Sequence, residues 1–340
     1  MDYTRLPEPG AGLRLHLNEN TAGCSPRVLE AIRRIPAERI AVYPDYAEVT
    51  RECAEALGVD PSWVVLTNGL DEGIWAAASA CIRAGEGEAE VVVPEPAFDM
   101  YAACVKAAGG RVVTVAPGPD LAFPIDAVLA AIGPRTRLVF LCSPNNPSGV
   151  SIPASGISRI ANALPAGGLV FLDEAYVDFA SCSFLPHLAA RPNLVLGRTF
   201  AKAYGLAALR IGCLVANPDA LRIVGGAIPP YSLNVCAVEG LRAALKDREY
   251  HDWYCAEVAE SRELLYAACR RAGLRYWPSE ANFVLVRFGS RCAEIVAKLA
   301  AAGIFIRDRS GEPGCEGCAR ITTGVVEHTR ACIAALEEAW

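Results

Sequence analysis

Short apolar runs alternate with helical stretches between about residue 60 and residue 220. The runs cover residues 64–66, 91–93, 111–115, 138–141, 169–172 and 194–196. Apolar residues follow one another in these runs without polar alternation, which is typical of strands that helices cover on both faces. Because strands and helices alternate, the pattern predicts an α/β unit with a mostly parallel sheet and right-handed crossovers.

The pattern changes after about residue 236. A long helical stretch at 236–272 precedes a predicted strand at 281–286, a helix at about 293–302, an apolar run at 304–306 and a final helix at 325–340. This order is typical of a smaller α+β domain. We therefore expect a large α/β domain at residues 40–235 and a small domain at 236–340, which residues 1–39 join as an N-terminal arm.

The composition indicates a chain that buries a large core, with 53% hydrophobic and 21% charged residues among 340. The net charge is −6 and no long basic run occurs, so a nucleic-acid partner is not expected. The apolar runs are shorter than the ~20 residues that a membrane span needs. Residues 1–12 carry charges and prolines instead of the apolar stretch of a secretion signal. We expect a cytoplasmic enzyme that acts on small molecules, with no membrane partner.

Cysteine and histidine do not point to a metal or a disulfide framework. The fourteen cysteines are scattered through apolar segments, which favours buried thiols in a reducing compartment. Cys315 and Cys318 form one C-x-x-C pair, but no second pair or nearby histidine completes a four-ligand zinc site. The four histidines are far apart in the sequence. We therefore predict ordinary thiols and no metal site.

Polar residues gather directly after the predicted strands. Asn146 follows the run at 138–141, Asp173 and Tyr176 follow 169–172, and Lys202 and Arg210 follow 194–196. In an open parallel sheet, ligands bind outside the carboxyl ends of the strands. Each residue alone is explained by turn or cap chemistry, but their joint order predicts a binding site at one edge of the sheet.

This order resembles the aminotransferase branch of the fold-type I pyridoxal-phosphate enzymes. Such an enzyme needs a lysine for the Schiff base and a carboxylate that pairs with the pyridine nitrogen. The resemblance implies that Lys202 is the Schiff-base lysine and that Asp173 is the nitrogen partner. It also implies an α/β fold in which a large domain with a mostly parallel seven-stranded sheet stands beside a smaller α+β domain.

The resemblance assigns the other cofactor contacts residue by residue. Asn146 and Tyr176 correspond to the donors to the ring oxygen, with Tyr176 among the catalytic residues, and Phe98 stands where the family stacks an aromatic ring on the pyridine. Arg210 corresponds to the phosphate arginine. A helix start supplies backbone N–H groups to the same phosphate, and its residues are Gly69, Leu70 and Asp71. The family usually has a serine before the lysine, whereas this chain has Ala201, and we expect Thr199 to compensate together with Tyr43.

Within the branch, the chain resembles the histidinol-phosphate aminotransferases over nearly its whole length. The resemblance rests on the segments 17–20, 43–45, 303–309 and 317–324. It implies that Arg307 and Arg320, with Asn146, bind the substrate anion. The implied reaction transfers the amino group between L-histidinol phosphate and 2-oxoglutarate, giving imidazole-acetol phosphate and glutamate, a step of histidine biosynthesis. The family's N-terminal tyrosine at the substrate phosphate has no counterpart at residues 6–10.

The resemblance also implies a homodimer. Tyr43 matches the tyrosine that reaches the phosphate of the partner subunit's cofactor, and residues 227–236 resemble a segment that crosses to the partner. A dimer with twofold symmetry is also the commonest oligomer.

Other functions share parts of this signature. One alternative is an aminotransferase for aromatic or other 2-oxo acids, and another is a threonine-phosphate decarboxylase-like lyase. A ligand-sensing domain of a transcription regulator would require a fused DNA-binding module, and no basic helical extension is seen. A nicotinamide enzyme would require a G-x-G-x-x-G motif after an early strand, which the sequence lacks.

Overall fold

The computed structural model describes residues 10–82 and 88–339. The predictions about residues 1–12 and 6–10 therefore fall mostly outside the described residues. Within the described residues the strands are β1 (Leu13–Arg14), β2 (Val64–Thr67), β3 (Glu90–Pro94), β4 (Arg111–Val115), β5 (Thr136–Cys142), β6 (Leu169–Asp173), β7 (Leu194–Thr199), β8 (Gly212–Ala216), β9 (Arg275–Trp277), β10 (Phe283–Arg287), β11 (Ile304–Phe305), β12 (Arg307–Asp308) and β13 (Cys318–Thr322). The α-helices are α1 (Pro26–Arg33), α2 (Ala37–Ile40), α3 (Ala47–Leu57), α4 (Gly69–Cys81), α5 (Asp99–Ala107), α6 (Ile125–Ala131), α7 (Ala154–Ala163), α8 (Pro218–Gly225), α9 (Val235–Leu245), α10 (Arg248–Arg271), α11 (Cys292–Ala301) and α12 (Val326–Ala339).

Seven strands form the large sheet, in the order β2-β8-β7-β6-β5-β3-β4. Strands β3 to β7 pair in parallel with one another, while β8 pairs antiparallel with both β7 and β2. The central strands are buried throughout because helices cover both faces. The predicted seven-stranded, mostly parallel sheet is confirmed.

One strand of this sheet was not located from the sequence. The segment Gly212–Ala216 forms β8 and is buried along its full length. It follows Arg210 after only one residue, and it contains glycine and alanine, which carry little strand propensity. Pairing with its two neighbours, which depends on the tertiary structure, therefore determines its conformation.

The long helical stretch predicted at 236–272 is helical in the structure, but it is divided into two helices. Helix α9 ends at Leu245 and α10 begins at Arg248. Asp247 is the N-cap of α10, where its carboxylate accepts a hydrogen bond from the Tyr250 N–H. Aspartate stabilises a helix start in this way, so the break between the helices has a local cause.

The C-terminal part of the chain forms a four-stranded antiparallel sheet in the order β12-β13-β10-β9. The apolar run at 304–306 does not form one strand: β11 pairs in parallel with β1, whereas β12 pairs with β13. Strand β1 therefore attaches the N-terminal arm to the C-terminal part of the chain. The division into domains at residues 40 and 236 stays a prediction.

In the pairing of β12 with β13, Arg307 lies directly opposite Arg320. Opposite residues of antiparallel strands carry their side chains on the same face of the sheet. No helix in the described part of the chain has both the length and the apolar composition to span a membrane.

Candidate active site

A cavity of about 770 Å³ lies where the strands of the large sheet end. The predicted site residues meet there, except Gly69 and Tyr43. Those that line the cavity are Leu70, Asp71, Phe98, Asn146, Asp173, Tyr176, Thr199, Lys202, Arg210, Arg307 and Arg320. The spatial clustering expected from the carboxyl ends of parallel strands is therefore present.

Helix α4 and Arg210 form the first wall of the cavity. The Arg210 guanidinium donates to the Asp71 carboxylate at 2.9 Å, which holds it over the start of the helix. Gly69 has a φ of +69°, and a Cβ there would lie 2.5 Å from Arg210 Nη2. Gly69 thus contributes by allowing this close approach. The pair of a guanidinium and a helix N-terminus is suited to a phosphate group.

Asp173 ends β6 and is 4% exposed. Its carboxylate accepts hydrogen bonds from Tyr101 Oη at 2.6 Å and from the Ala175 N–H at 2.8 Å. Burial raises the pKa of Asp173 to about 6, and the two hydrogen bonds oppose that rise. Among the described residues no cationic nitrogen lies within 4 Å of the carboxylate. A buried carboxylate without a cationic partner fits the protonated pyridine nitrogen of pyridoxal phosphate.

Tyr176 lies beside Asp173, and its hydroxyl accepts hydrogen bonds from two amides. Asn18 Nδ2 lies 3.1 Å from Tyr176 Oη, and Asn146 Nδ2 lies 3.3 Å from it. Burial raises the pKa of Tyr176 to about 12, so the phenol keeps its proton at neutral pH. A protonated phenol and an adjacent amide fit the predicted donors to the cofactor ring oxygen.

Lys202 follows β7 in a loop and is partly buried. Its Nζ donates to the Leu17 carbonyl at 3.1 Å and lies 6.0 Å from the centre of the Tyr176 ring. Burial, with a further contribution from Arg320, lowers the pKa of Lys202 to about 8. About a tenth of the amine is therefore unprotonated at pH 7, far more than for an ordinary lysine, and the unprotonated form is the nucleophile.

The cavity contains two arginines that no described carboxylate approaches within 4 Å, Arg307 and Arg320. Arg320 is 5% exposed, and it donates to Asn146 Oδ1 at 2.5 Å and to the His16 carbonyl at 2.7 Å. Its Nε has no hydrogen-bond partner among the described residues. Burial lowers the pKa of Arg320 to about 10. Two uncompensated guanidiniums side by side are suited to binding an anion.

The other three arginines of the cavity are paired with carboxylates. Arg14 pairs with Glu19, Arg210 pairs with Asp71, and Arg309 pairs with Glu312. The excess positive charge from arginine therefore comes from Arg307 and Arg320.

Thr199 lies near the position where the family's serine is replaced by Ala201. Its Oγ1 accepts a hydrogen bond from the Ala201 N–H at 3.2 Å, and the side chain lines the cavity. The hydroxyl proton remains available to a phosphate oxygen, so the predicted compensation stays a prediction that the geometry permits.

Sequence reasoning missed several residues of the cavity. Tyr101, on α5, holds Asp173, and Asn18 reaches Tyr176. His16 and Arg309 also line the cavity. Asn18 and Arg309 lie in segments that carried the family resemblance, which was the signal that could have found them. Tyr101 and His16 had no such signal because their contacts depend on the tertiary structure.

Two predicted features lie outside the cavity. Tyr43 is 75% exposed and its ring stacks on Tyr231 at 4.4 Å between ring centres. Cys315 and Cys318 are buried, and burial raises their pKa values to about 12 and about 11, so both remain thiols. No group of three or more metal-ligating side chains was found in the part of the chain that the structure describes.

The chain matches known proteins over nearly its full length. The sequence profile of the family described as aminotransferase class I and II matches residues 11–336. Histidinol-phosphate aminotransferase of Moorella thermoacetica is 35% identical over 338 residues, which cover 96% of this chain and 85% of that protein.

Solved structures extend the comparison to the fold. Histidinol-phosphate aminotransferase of Sinorhizobium meliloti, solved in complex with pyridoxal-5'-phosphate, is 31% identical with a TM-score of 0.88, and the match covers 98% of this chain and 95% of that one. L-threonine-O-3-phosphate decarboxylase of Porphyromonas gingivalis is 24% identical with a TM-score of 0.79, covering 96% of this chain and 98% of that one, and it shares the fold. The predicted fold-type I architecture is confirmed. The chain therefore belongs to the class I and II aminotransferase family.

Proposed function

We propose that this aminotransferase transfers the amino group between L-histidinol phosphate and 2-oxoglutarate, giving imidazole-acetol phosphate and glutamate. One observation carries the proposal: Arg307 and Arg320 lie opposite each other on β12 and β13, line the cavity that contains Lys202 and Asp173, and lack carboxylate partners among the described residues. The 35% and 31% identities to histidinol-phosphate aminotransferases support the choice of substrate. We place the reaction in the cytoplasm, where the buried thiols of the chain would stay reduced.

The described residues of one subunit supply a contact for each part of pyridoxal phosphate. Arg210 and the start of α4 would bind its phosphate, and Tyr176 and Asn146 would donate to its ring oxygen. Asp173 would keep a proton on the ring nitrogen, because a buried carboxylate favours a cation beside it. The bound cofactor supplies the electron sink that stabilises negative charge at the substrate Cα.

Lys202 Nζ would bond to the cofactor in the resting enzyme and would act as the base once substrate arrives. Its lowered pKa leaves the amine ready to accept the Cα proton. In the half-reaction that forms the product amino acid, the same Nζ would return a proton to Cα. Because Nζ hydrogen-bonds to the Leu17 carbonyl, the N-terminal arm sets the position from which the lysine works.

The two half-reactions present different anions to one cavity. Glutamate carries a second carboxylate, and histidinol phosphate carries a phosphoryl group. A guanidinium is a planar bidentate donor to a carboxylate and to a phosphoryl group alike. Arg307 and Arg320 can therefore accommodate both substrates without a change of fold. Ping-pong kinetics are the expected result.

Arg307→Ala is expected to lower kcat/KM for L-histidinol phosphate by about 30- to 1,000-fold, because removing a charge-assisted bidentate contact costs about 2–4 kcal/mol. Phenylalanine, which has no second anion, should be affected much less. Arg307→Lys should restore activity in part, since an ammonium lacks the planar fork. The measurement is a spectrophotometric half-reaction with histidinol phosphate, glutamate, phenylalanine and threonine phosphate side by side.

The same measurement separates the alternatives. If Arg307→Ala lowers kcat/KM for phenylalanine and for histidinol phosphate by the same factor, the protein is better assigned to general aromatic substrates. Release of carbon dioxide from threonine phosphate, without transfer of its amino group, would assign it to the decarboxylase-like lyases.

We also propose that the enzyme works as a homodimer in which Tyr43 completes the partner subunit's site. Tyr43 and Tyr231 stack on each other at the surface. Both rings are exposed, and two more exposed apolar side chains, Ile40 and Val42, closely precede Tyr43 in the sequence. An apolar exposed group of this kind suits a subunit interface.

Sedimentation velocity of the holoenzyme should give twice the chain mass at working concentration. Tyr43→Ala should weaken pyridoxal-phosphate binding about tenfold, as expected for loss of one hydrogen bond to a charged group. A fully active monomer would rule out the shared site.

A further inference from the structure

His16 is held in place by strands from the C-terminal part of the chain. The Leu15 N–H donates to the Phe305 carbonyl at 2.8 Å, and the Thr322 N–H donates to the Leu15 carbonyl at 2.9 Å. The His16 carbonyl itself accepts from Arg320 at 2.7 Å. Because these contacts use the backbone, the imidazole is positioned by the fold and its own ring nitrogens remain available.

The His16 side chain is 6% exposed and lines the cavity. Its Nδ1 is shielded from solvent and has no hydrogen-bond partner among the described residues. Its ring contacts Phe305 edge-to-face, at 6.3 Å between ring centres. Buried polar groups nearly always have partners, so an imidazole left without one in a substrate cavity calls for a ligand.

The charges that face His16 come from Arg14, Glu19, Arg307 and Arg320. Arg14 and Glu19 pair with each other, which leaves the two guanidiniums in excess. Burial and the nearby Arg14 lower the pKa of His16, so the imidazole is neutral at neutral pH and offers one N–H donor. Two positive charges and a neutral donor match a dianion with several acceptor oxygens better than they match a single carboxylate.

We propose that His16 is a specificity-determining residue that binds the phosphoryl group of the substrate beside Arg307, and so selects phosphorylated amino donors. The inference rests on the proposed function. When the dianion is bound, its charge offsets the two guanidiniums, so a proton on His16 becomes more favourable. The residue then changes from a neutral donor to a cationic one as the substrate binds.

The test compares L-histidinol phosphate with L-histidinol, which differs by the phosphoryl group alone, in half-reactions of the holoenzyme. The ratio of the two kcat/KM values is the readout, since general damage to the site lowers both. His16→Ala should reduce this ratio about 10- to 100-fold, the range for a hydrogen bond to a charged group. His16→Gln retains an N–H donor, so its ratio should lie between those of the wild type and His16→Ala. His187→Gln, at an exposed histidine, is the matched control and should leave it unchanged.

A second readout does not depend on turnover. The chain has only four histidines, so ¹⁵N-labelled imidazoles can be resolved by NMR, and His16→Gln identifies the His16 signal. L-histidinol phosphate should shift that signal of the wild-type holoenzyme toward the protonated form at pH 7, and L-histidinol should not.

The outcomes separate the two proposals. Equal use of the two compounds by the wild-type enzyme would overturn the proposed function. A wild-type preference for the phosphorylated compound that persists in His16→Ala, or a His16 signal that histidinol phosphate leaves unmoved, would overturn the role of His16 alone.

Discussion

Lys202→Ala is expected to lower the rate of amino transfer by about 10⁴-fold or more, because one substitution removes both the nucleophile and the base. The lysine lies in a cavity that lowers its pKa to about 8, and Nζ is hydrogen-bonded only at the Leu17 carbonyl among the described residues. The measurement is the half-reaction rate, together with the absorbance of bound pyridoxal phosphate and peptide mapping after borohydride reduction.

The control for this prediction is Lys106→Ala, at an exposed lysine on α5. It should leave the rate and the trapped adduct unchanged. The chain has four lysines, so each candidate peptide can be followed. An adduct that persists in Lys202→Ala, on Lys106, Lys246 or Lys298, would show that the assignment is wrong.

Asp173→Asn is expected to lower kcat by about 10²- to 10³-fold, the range for loss of one preorganised electrostatic contact to the reacting system. An amide matches the carboxylate in shape, and its single oxygen can still accept from Tyr101, but its NH2 group then faces the Ala175 N–H, so the substitution removes the charge together with one hydrogen bond. The half-reaction rate and the affinity for pyridoxal phosphate are the measurements. Asp219→Asn, at an exposed surface carboxylate, is the control, and a near wild-type kcat in Asp173→Asn would contradict the role.

Asp173→Asn is also expected to raise the stability of the protein without cofactor. The folded chain raises the pKa of Asp173 from 3.8 to about 6, so between these values the folded state binds more protons than the unfolded state. Stability should therefore fall as the pH rises through this window, by up to ~3 kcal/mol. Well above pH 6 the full cost of burying the ionised Asp173 carboxylate is present. Apo Asp173→Asn should therefore melt at a higher temperature than the apo wild type at pH 8.

The sequence predicted those parts of the site that depend on local position. Asp173 and Lys202 follow buried strands, and their polar side chains stand out against apolar neighbours. Arg307 and Arg320 came from the family resemblance, and the β12–β13 register explains why they lie opposite each other. The roles of all four stay predictions.

The parts that the sequence did not predict depend on distant contacts. Tyr101 lies 72 positions from Asp173, and Asn18 lies 158 positions from Tyr176. No periodicity or spacing joins such pairs, because they meet only after the sheets have formed. The break at Asp247 was a different kind of omission, since a capping aspartate is a local signal.

The N-terminal arm has a consequence for the synthesis of the enzyme. Arg320 donates to the His16 carbonyl, and the Asn18 N–H donates to Thr322 Oγ1, and each contact joins positions 304 apart. A ribosome makes the arm about 300 residues before β13, so residues 16–18 emerge long before the strands that hold them. The large sheet can assemble on the nascent chain while one wall of the cavity is still untranslated. A premature stop codon between positions 203 and 318 would therefore produce a protein that carries Lys202 but lacks part of the cavity around it.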